Sequence, residues 1–324
     1  MKKLAFAFVA MFATTALFAQ EPPTVSTAEL SMRYCDAPVE ENINVKIDIN
    51  TTYEWEGDVY DATGDYTKVL QDDRGCDRIV TLHLKVRTNP TGSVDGLFSI
   101  SSTQQVYFSK GNLHYSASNT TTGPWYFVAN QWTSGRTFRY GTSGYNSYNP
   151  DNSAANNNYL KYTSLTRTSY DWGWYNAIKN GGEASSTWYT MSKDQFNYLI
   201  NTRSASLKAF KSVHGQGGMI LLPDAWSWGD VVVNDVPMTG WPAGSSIDDA
   251  TWTAMEDNGA VFFKAGTYWT GTNNGQYQPY NSGCMSTDGG WAFVIDVTSS
   301  ACNITYPELR YTDARQVRLV RNKP

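Results

Sequence analysis

The residues able to do chemistry in this chain are few: four cysteines, three histidines and a scatter of carboxylates among 324 residues. Cys35, Cys76, Cys284 and Cys302 lack the close spacing of zinc ligands, and His83, His114 and His214 are dispersed, so no metal site is predicted. No histidine lies beside a G-x-S-x-G elbow or another nucleophile motif. An even number of cysteines, two before residue 95 and two after residue 280, reads instead as structural bonds in an oxidising compartment. The simplest pairing is Cys35–Cys76 with Cys284–Cys302, each adding roughly 3–4 kcal/mol by loop-closure entropy. Asp224, Asp230, Asp248, Asp249 and Glu256 could supply a glycosidase-like carboxylate pair. Asp248, however, stands where a helix needs its N-cap. Gly215-x-Gly217-Gly218 resembles a phosphate loop only in composition, because a strand rather than a helix follows it. The sequence therefore assigns no catalytic residue, no cofactor and no bound metal, while leaving room for a structural calcium ion.

The segments that must carry these residues begin with a leader. Lys2-Lys3, an apolar run from Leu4 to Phe18 and Ala19-Gln20 form a secretory signal over residues 1–20, with cleavage expected near Ala19. The run is too short for a retained span, and no later stretch is long and apolar enough to cross a bilayer. Export to the periplasm, the outer cell surface or the extracellular space is the expectation. A net charge of −5 argues against nucleic acid or an anionic membrane as partner. Aromatic residues make up 14% of the chain, which excludes disorder. Abundant Tyr, Trp, Asn and Ser with little charge also match surfaces that bind through rigid rings and short polar groups.

Residues 21–88 read as a small all-β module. Ile79, Leu82, Leu84 and Val86 fall largely on a period of two, and turns are expected at Gly57, Gly64 and Asp73-Arg74-Gly75. Residues 89–96, with Pro90, Gly92 and Gly96, read as a polar linker. The rest, 97–324, forms a second domain with strands expected near Leu97–Ser101, Gln105–Leu113, Trp125–Trp132, Trp291–Val297 and Gln316–Arg321. Residues 133–171 are a long Ser, Thr, Asn and Tyr-rich loop. Two helices are predicted. One starts at the capping box Ser192-Lys193-Asp194-Gln195, with Phe196, Leu199 and Ile200 as its apolar stripe. The other runs from about Ile247 to Asp257, with Asp248 as cap, Ala250, Thr251, Ala254 and Met255 facing inward and Gly259 ending it.

Several spaced motifs resemble known families. Gly217-Gly218-Met219-Ile220-Leu221-Leu222-Pro223-Asp224-Ala225-Trp226, Tyr268-Trp269-Thr270-Gly271-Thr272 and Val317-Arg318-Leu319-Val320 resemble blocks of the FISUMP-type (major paralogous) domains, a branch of the formylglycine-generating-enzyme superfamily with a C-type-lectin-like fold. Val106-Tyr107-Phe108-Ser109-Lys110-Gly111-Asn112-Leu113 and Asp171-Trp172-Gly173-Trp174 extend that resemblance over residues 97–321. Tyr53-x-Trp55-x-Gly57, Gly64-x-Tyr66 and Gly75-Cys76-Asp77 resemble a β repeat of bacterial cell-surface proteins, although Cys35 lies well upstream of where that repeat carries its cysteine.

The resemblance implies an α+β fold: a C-type-lectin-like mixed domain with two helices and short antiparallel sheets, preceded by the all-β module. It gives Asp224 a structural role in the turn. The superfamily's enzymes use two closely spaced cysteines, whereas Cys284 and Cys302 are 18 positions apart and match a disulfide better. Calcium-dependent lectins carry a Glu-Pro-Asn or Gln-Pro-Asp tripeptide, whereas this chain has Gln278-Pro279-Tyr280. Recognition in the fold falls on the loops after the Tyr268-Trp269 block, which implies Trp269, Asn273, Asn274, Tyr277, Tyr280, Asn281 and Trp291 as ligand-binding residues. The expected function is that of an exported, non-catalytic binding or adhesion protein taking a glycan or protein ligand at the cell surface. The alternatives are an enzyme of the superfamily with other chemistry and a structural, fimbria-associated component.

Overall fold

The computed structural model describes residues 37–48, 51–87, 89–119, 123–147, 150, 164–273, 292–305 and 314–323. The signal segment 1–20 and Cys35 lie outside them. The chain divides into two compact units, one ending at Val86 and one starting at Arg87.

The first unit is a three-stranded sheet in the order Val39–Asp48, Asp77–Arg87, Gly64–Gln71, plus the hairpin Tyr53–Trp55/Asp58–Tyr60. Val80, Leu82 and Leu84 alternate onto one face of the central strand and pack with Trp55. Thr81 and His83 take the opposite face, where His83 lies 2.7 Å from Asp65 Oδ1 and 3.0 Å from Asn42 Oδ1, joining all three strands. Lys68 lies over the Trp55 ring, 5.4 Å from its centroid, and pairs with Asp58 at 2.8 Å. The all-β expectation for this segment matches its strands. Cys76 is disulfide-bonded, although no disulfide has both its cysteines among the described residues.

The second unit is built from several small sheets around three aromatic-rich cores. Leu319–Asn322 pairs antiparallel with both Gln105–Phe108 and Tyr189–Thr190, so the last described strand joins the opening strands in one four-stranded sheet. A second four-stranded sheet has the order Ser246–Ile247, Lys208–Val213, Gln216–Leu221, Val261–Lys264, and a three-stranded one the order Gly266–Asn273, Ala292–Val297, Cys302–Thr305. Ser192 caps the Lys193–Asn197 helix as expected: its Oγ accepts from the Gln195 amide at 3.2 Å while Gln195 Oε1 accepts from the Ser192 amide at 2.9 Å. Phe196, Leu199 and Ile200 are all buried behind that cap. Asp248 caps Asp249–Asp257 by accepting from the Thr251 amide at 2.8 Å. On that helix Trp252 takes the inward place expected for Ala250, which is exposed.

Two expectations need correction. Among the described residues strands account for 41% and helices for 14%, so the fold is β-rich rather than α+β. The two predicted helices are short, at five and nine residues, a further one over Trp172–Tyr175 has four, and most of the cores are covered by sheets and loops. Second, residues 89–96 are not a free linker. Asn89, Ser93 and Val94 are buried, Val94 N donates to Phe108 O at 2.9 Å, and Ser93 bridges Ser109. Gly92 serves close packing: it sits at φ +80, where a Cβ would meet Asn180 O at 2.5 Å.

Candidate functional site

The loop after the Gln216–Leu221 strand carries Trp226, Trp228 and Trp241, all half-buried. Pro223 and Asp224 start it. Asp224 Oδ1 accepts from Arg203 Nε at 2.9 Å, and its Oδ2 accepts from Ser99 Oγ at 2.7 Å and Gln105 Nε2 at 2.8 Å. That anchoring gives Asp224 a structural place and leaves it no role as a catalytic acid. Beyond the anchor the three indoles brace one another edge to face. Trp226 and Trp228 lie 5.2 Å apart at 86°, and Trp228 and Trp241 lie 5.2 Å apart at 71°.

The chain between them turns as a short hairpin, Val232–Val233 against Val236–Pro237. Asn234 and Asp235 both have positive φ, as a two-residue type I′ turn requires. Val236 stands 64% exposed on it. The return path is pinned at several points. Met238 N donates to Val231 O at 2.8 Å, Trp241 Nε1 donates to Ser206 O at 3.3 Å, and Lys211 Nζ donates to Pro242 O at 2.9 Å and also to Gly244 O. Asn258 Nδ2, just past the Asp249–Asp257 helix, donates to Asp230 O at 3.2 Å.

These elements frame a shallow groove of about 370 Å3. Val233, Val236, Met238 and Trp241 supply its apolar wall, and Thr239 and Thr251 supply hydroxyls. No charged side chain lines it. The volume falls within the roughly 300–1,000 Å3 of small-ligand sites. Such a surface can stack and hydrogen-bond a ligand, but it presents no acid, base or nucleophile.

The ionisable groups nearby are committed elsewhere. Behind the helix, Gln131 Nε2 donates to Glu256 Oε1 at 2.8 Å and to Ala260 O at 3.0 Å, while its Oε1 accepts from Arg318 Nη2 at 2.6 Å and from Phe262 N at 2.9 Å. Burial raises the Glu256 carboxyl above its usual range and pushes Arg318 down to about 10. This cluster ties Arg318, just before the Leu319–Asn322 strand, to the helix beside the groove, with Gln131 and Arg318 buried. His214 stacks on Trp132 at 3.7 Å and faces Asp249 at 3.0 Å. Asp224, Asp248, Asp249 and Glu256 are thus each engaged with a different partner, and at Asp230 the main-chain carbonyl is held by Asn258. Among the described residues no group of three His, Cys, Asp or Glu is placed to hold a metal ion.

Of the binding residues expected from sequence, Trp269 is a core residue. It is 1% exposed, and its indole donates to Phe138 O at 2.7 Å with Tyr140 packed 5.2 Å away. The strand Gly266–Asn273 is sandwiched in the domain, so Trp269 has no ligand-facing surface. Asn273 is half-buried at the end of that strand, opposite Ala292. Asn274, Tyr277, Tyr280, Asn281 and Trp291 lie outside the described residues, as do Gln278 and Cys284. Cys302 carries a free thiol that burial pushes up to about 12, so the expected Cys284–Cys302 bond is not present. Its side chain packs against the largest core instead.

The groove was missed in the sequence, where Trp226-x-Trp228 and Trp241-Pro242 bracketing a turn were the available signal. No protein-family model, curated protein or solved structure matches the chain. Among the described residues no helix is long and apolar enough to cross a membrane.

Proposed function

We propose that this chain is an exported, non-catalytic binding protein whose second unit presents its ligand site in the groove around Trp241. One observation carries the reading: a shallow groove walled by Trp241 with Val233, Val236 and Met238, whose lining contains no titratable side chain. Binding without chemistry needs rigid contact area and few ordering costs, and the pinned loop with its braced indoles supplies both. The secretory character of residues 1–20 supports export. The FISUMP-type resemblance over residues 97–321 supports a domain that displays loops for recognition.

The test is a combined glycan and protein array probed with the chain lacking residues 1–20, followed by calorimetry on each hit. Saturable binding with the ligand recovered unchanged is expected. Turnover of a bound ligand, or no specific hit on either array, would overturn the reading.

A further inference from the structure

We infer that the groove takes a neutral saccharide, with a pyranose ring lying against Trp241; the inference rests on the binding role proposed above. Charge complementarity makes the first cut. No cationic or anionic side chain is in the lining, so the groove offers a phosphate, sulfate, uronate or ammonium group no ion-pair partner. A neutral ligand needs none.

The mixture of groups makes the second cut. A pyranose has a face of polarised C–H bonds and a rim of hydroxyls. The C–H face suits the negative face of an indole, and the hydroxyls can pair with Thr239 and with main-chain carbonyls. Thr251 Oγ1 already donates to Asp248 Oδ2 at 2.7 Å, so toward a ligand it acts only as an acceptor.

The backbone makes the third cut, against an extended peptide. Val232–Val233 and Val236–Pro237 are two-residue strands, and Pro237 lacks an N–H, so the hairpin offers too short an edge to template an added strand. The groove is also shallow, which leaves an alkyl chain largely in water. Orientation of the platform is fixed before binding. The Trp241 N–H is held by Ser206 O, and its ring is braced by Trp228, so little side-chain freedom is lost on complex formation.

The probes are cellohexaose, laminarihexaose, mannohexaose and chitohexaose, with hexagalacturonate as the acidic counterpart and a valine-rich hexapeptide as the apolar one. Each is titrated into the full mature chain by calorimetry, with and without EDTA. At least one neutral hexasaccharide is expected to bind, unaffected by EDTA, and hexagalacturonate to bind at least about tenfold more weakly. Trp241→Ala should weaken the neutral sugar by about tenfold or more, as loss of a stacking anchor does. Should Trp241→Ala fail to fold, Thr239→Arg is the second variant. Thr239 is exposed, so the fold tolerates the change, while the long charged side chain crowds the groove and should produce a similar loss.

Absence of binding by all four neutral sugars overturns the inference, as does equal binding by a folded Trp241→Ala chain or loss of binding in EDTA. If the hexapeptide alone binds and depends on Trp241, the saccharide assignment falls and the binding role stands. If array ligands bind independently of both Trp241 and Thr239, the groove itself is not the site.

Discussion

Two sets of tryptophans in the second unit show how one residue type serves two ends. Trp172, Trp188 and Trp269 are fully buried, and each indole N–H has a partner: Thr142 Oγ1 at 3.4 Å, Gly181 O at 2.7 Å and Phe138 O at 2.7 Å. Trp226, Trp228 and Trp241 are half-buried, set edge to face with one another and packed against the core of Val213, Ile220 and Trp252. In Trp172, Trp188 and Trp269 the ring supplies burial and the N–H is satisfied, where an unmet donor would cost about 1–3 kcal/mol. At the groove, packing fixes orientation while leaving contact area for a ligand. Exposure, rather than residue type, separates the two roles.

The sharpest way to break this contrast is to truncate a core indole. Trp269→Ala should cost about 3–5 kcal/mol in denaturant unfolding, since it removes a fully buried aromatic side chain and strands the Phe138 carbonyl. A loss below about 1 kcal/mol would return Trp269 to the set of ligand contacts that its sequence context implies.

A pH series tests the polar support of the same core. Asp171 is fully buried beside Trp172 and accepts from Thr190 N at 2.9 Å, Thr190 Oγ1 at 2.9 Å and Arg167 N at 3.0 Å. Burial outweighs those donors and raises its pKa from 3.8 to about 6. The folded state therefore holds this proton more tightly than the unfolded chain. Its contribution is fully present below 3.8 and is lost as pH rises through about 6. At about 1.4 kcal/mol per pH unit, wild type should gain roughly 3 kcal/mol over Asp171→Asn between pH 7 and pH 3.5. Paired urea titrations read it, and a constant difference across that range removes the titrating role. The groove has no titratable lining, so its ligand affinity should stay flat between pH 5 and pH 8.

What the sequence disclosed follows the range of the interaction. The capping box at Ser192 and the Asp248 cap were legible because each is completed within three residues. The alternation of Val80, Leu82 and Leu84 spans enough positions to show a period. Strands such as Phe98–Ser99, Tyr189–Thr190 and Val232–Val233 are two residues long, too short for any period, and so the helices were given undue weight in the expected fold class. Exposure of a given tryptophan depends on distant partners: Trp269 is covered by Phe138 and Tyr140, some 130 positions away. Composition suggested a polar linker at residues 89–96, where Asn89, Ser93 and Val94 are buried and Gly92 permits a close approach to Asn180. It also misled at Cys302, where an even cysteine count suggested a bond and the structure holds a buried thiol.

A direct counterpart to Trp269→Ala is Trp241→Ala in the unliganded protein. Half-buried and joined to Ser206 by one hydrogen bond, Trp241 should cost only about 1–2 kcal/mol on truncation, several-fold less than the core residue. Thermal unfolding of the two variants side by side makes the comparison. Equal losses would place the groove indoles in the core class and remove the structural case for a ligand surface.

The smallest effect concerns the turn that shapes the groove. Asp235 holds φ +63 at the second central position of the Val233–Val236 hairpin, the place that a type I′ turn most often gives to glycine. An aspartate tolerates this conformation better than most side chains, so the strain is modest. Asp235→Gly relieves it while loosening the unfolded chain, and the two effects nearly cancel. A change in stability within about 0.5 kcal/mol is expected, with a slight gain if strain relief prevails. Chemical denaturation with a fixed unfolding slope would measure it. A loss above about 1.5 kcal/mol would mean that the Asp235 side chain, rather than backbone geometry, holds the turn.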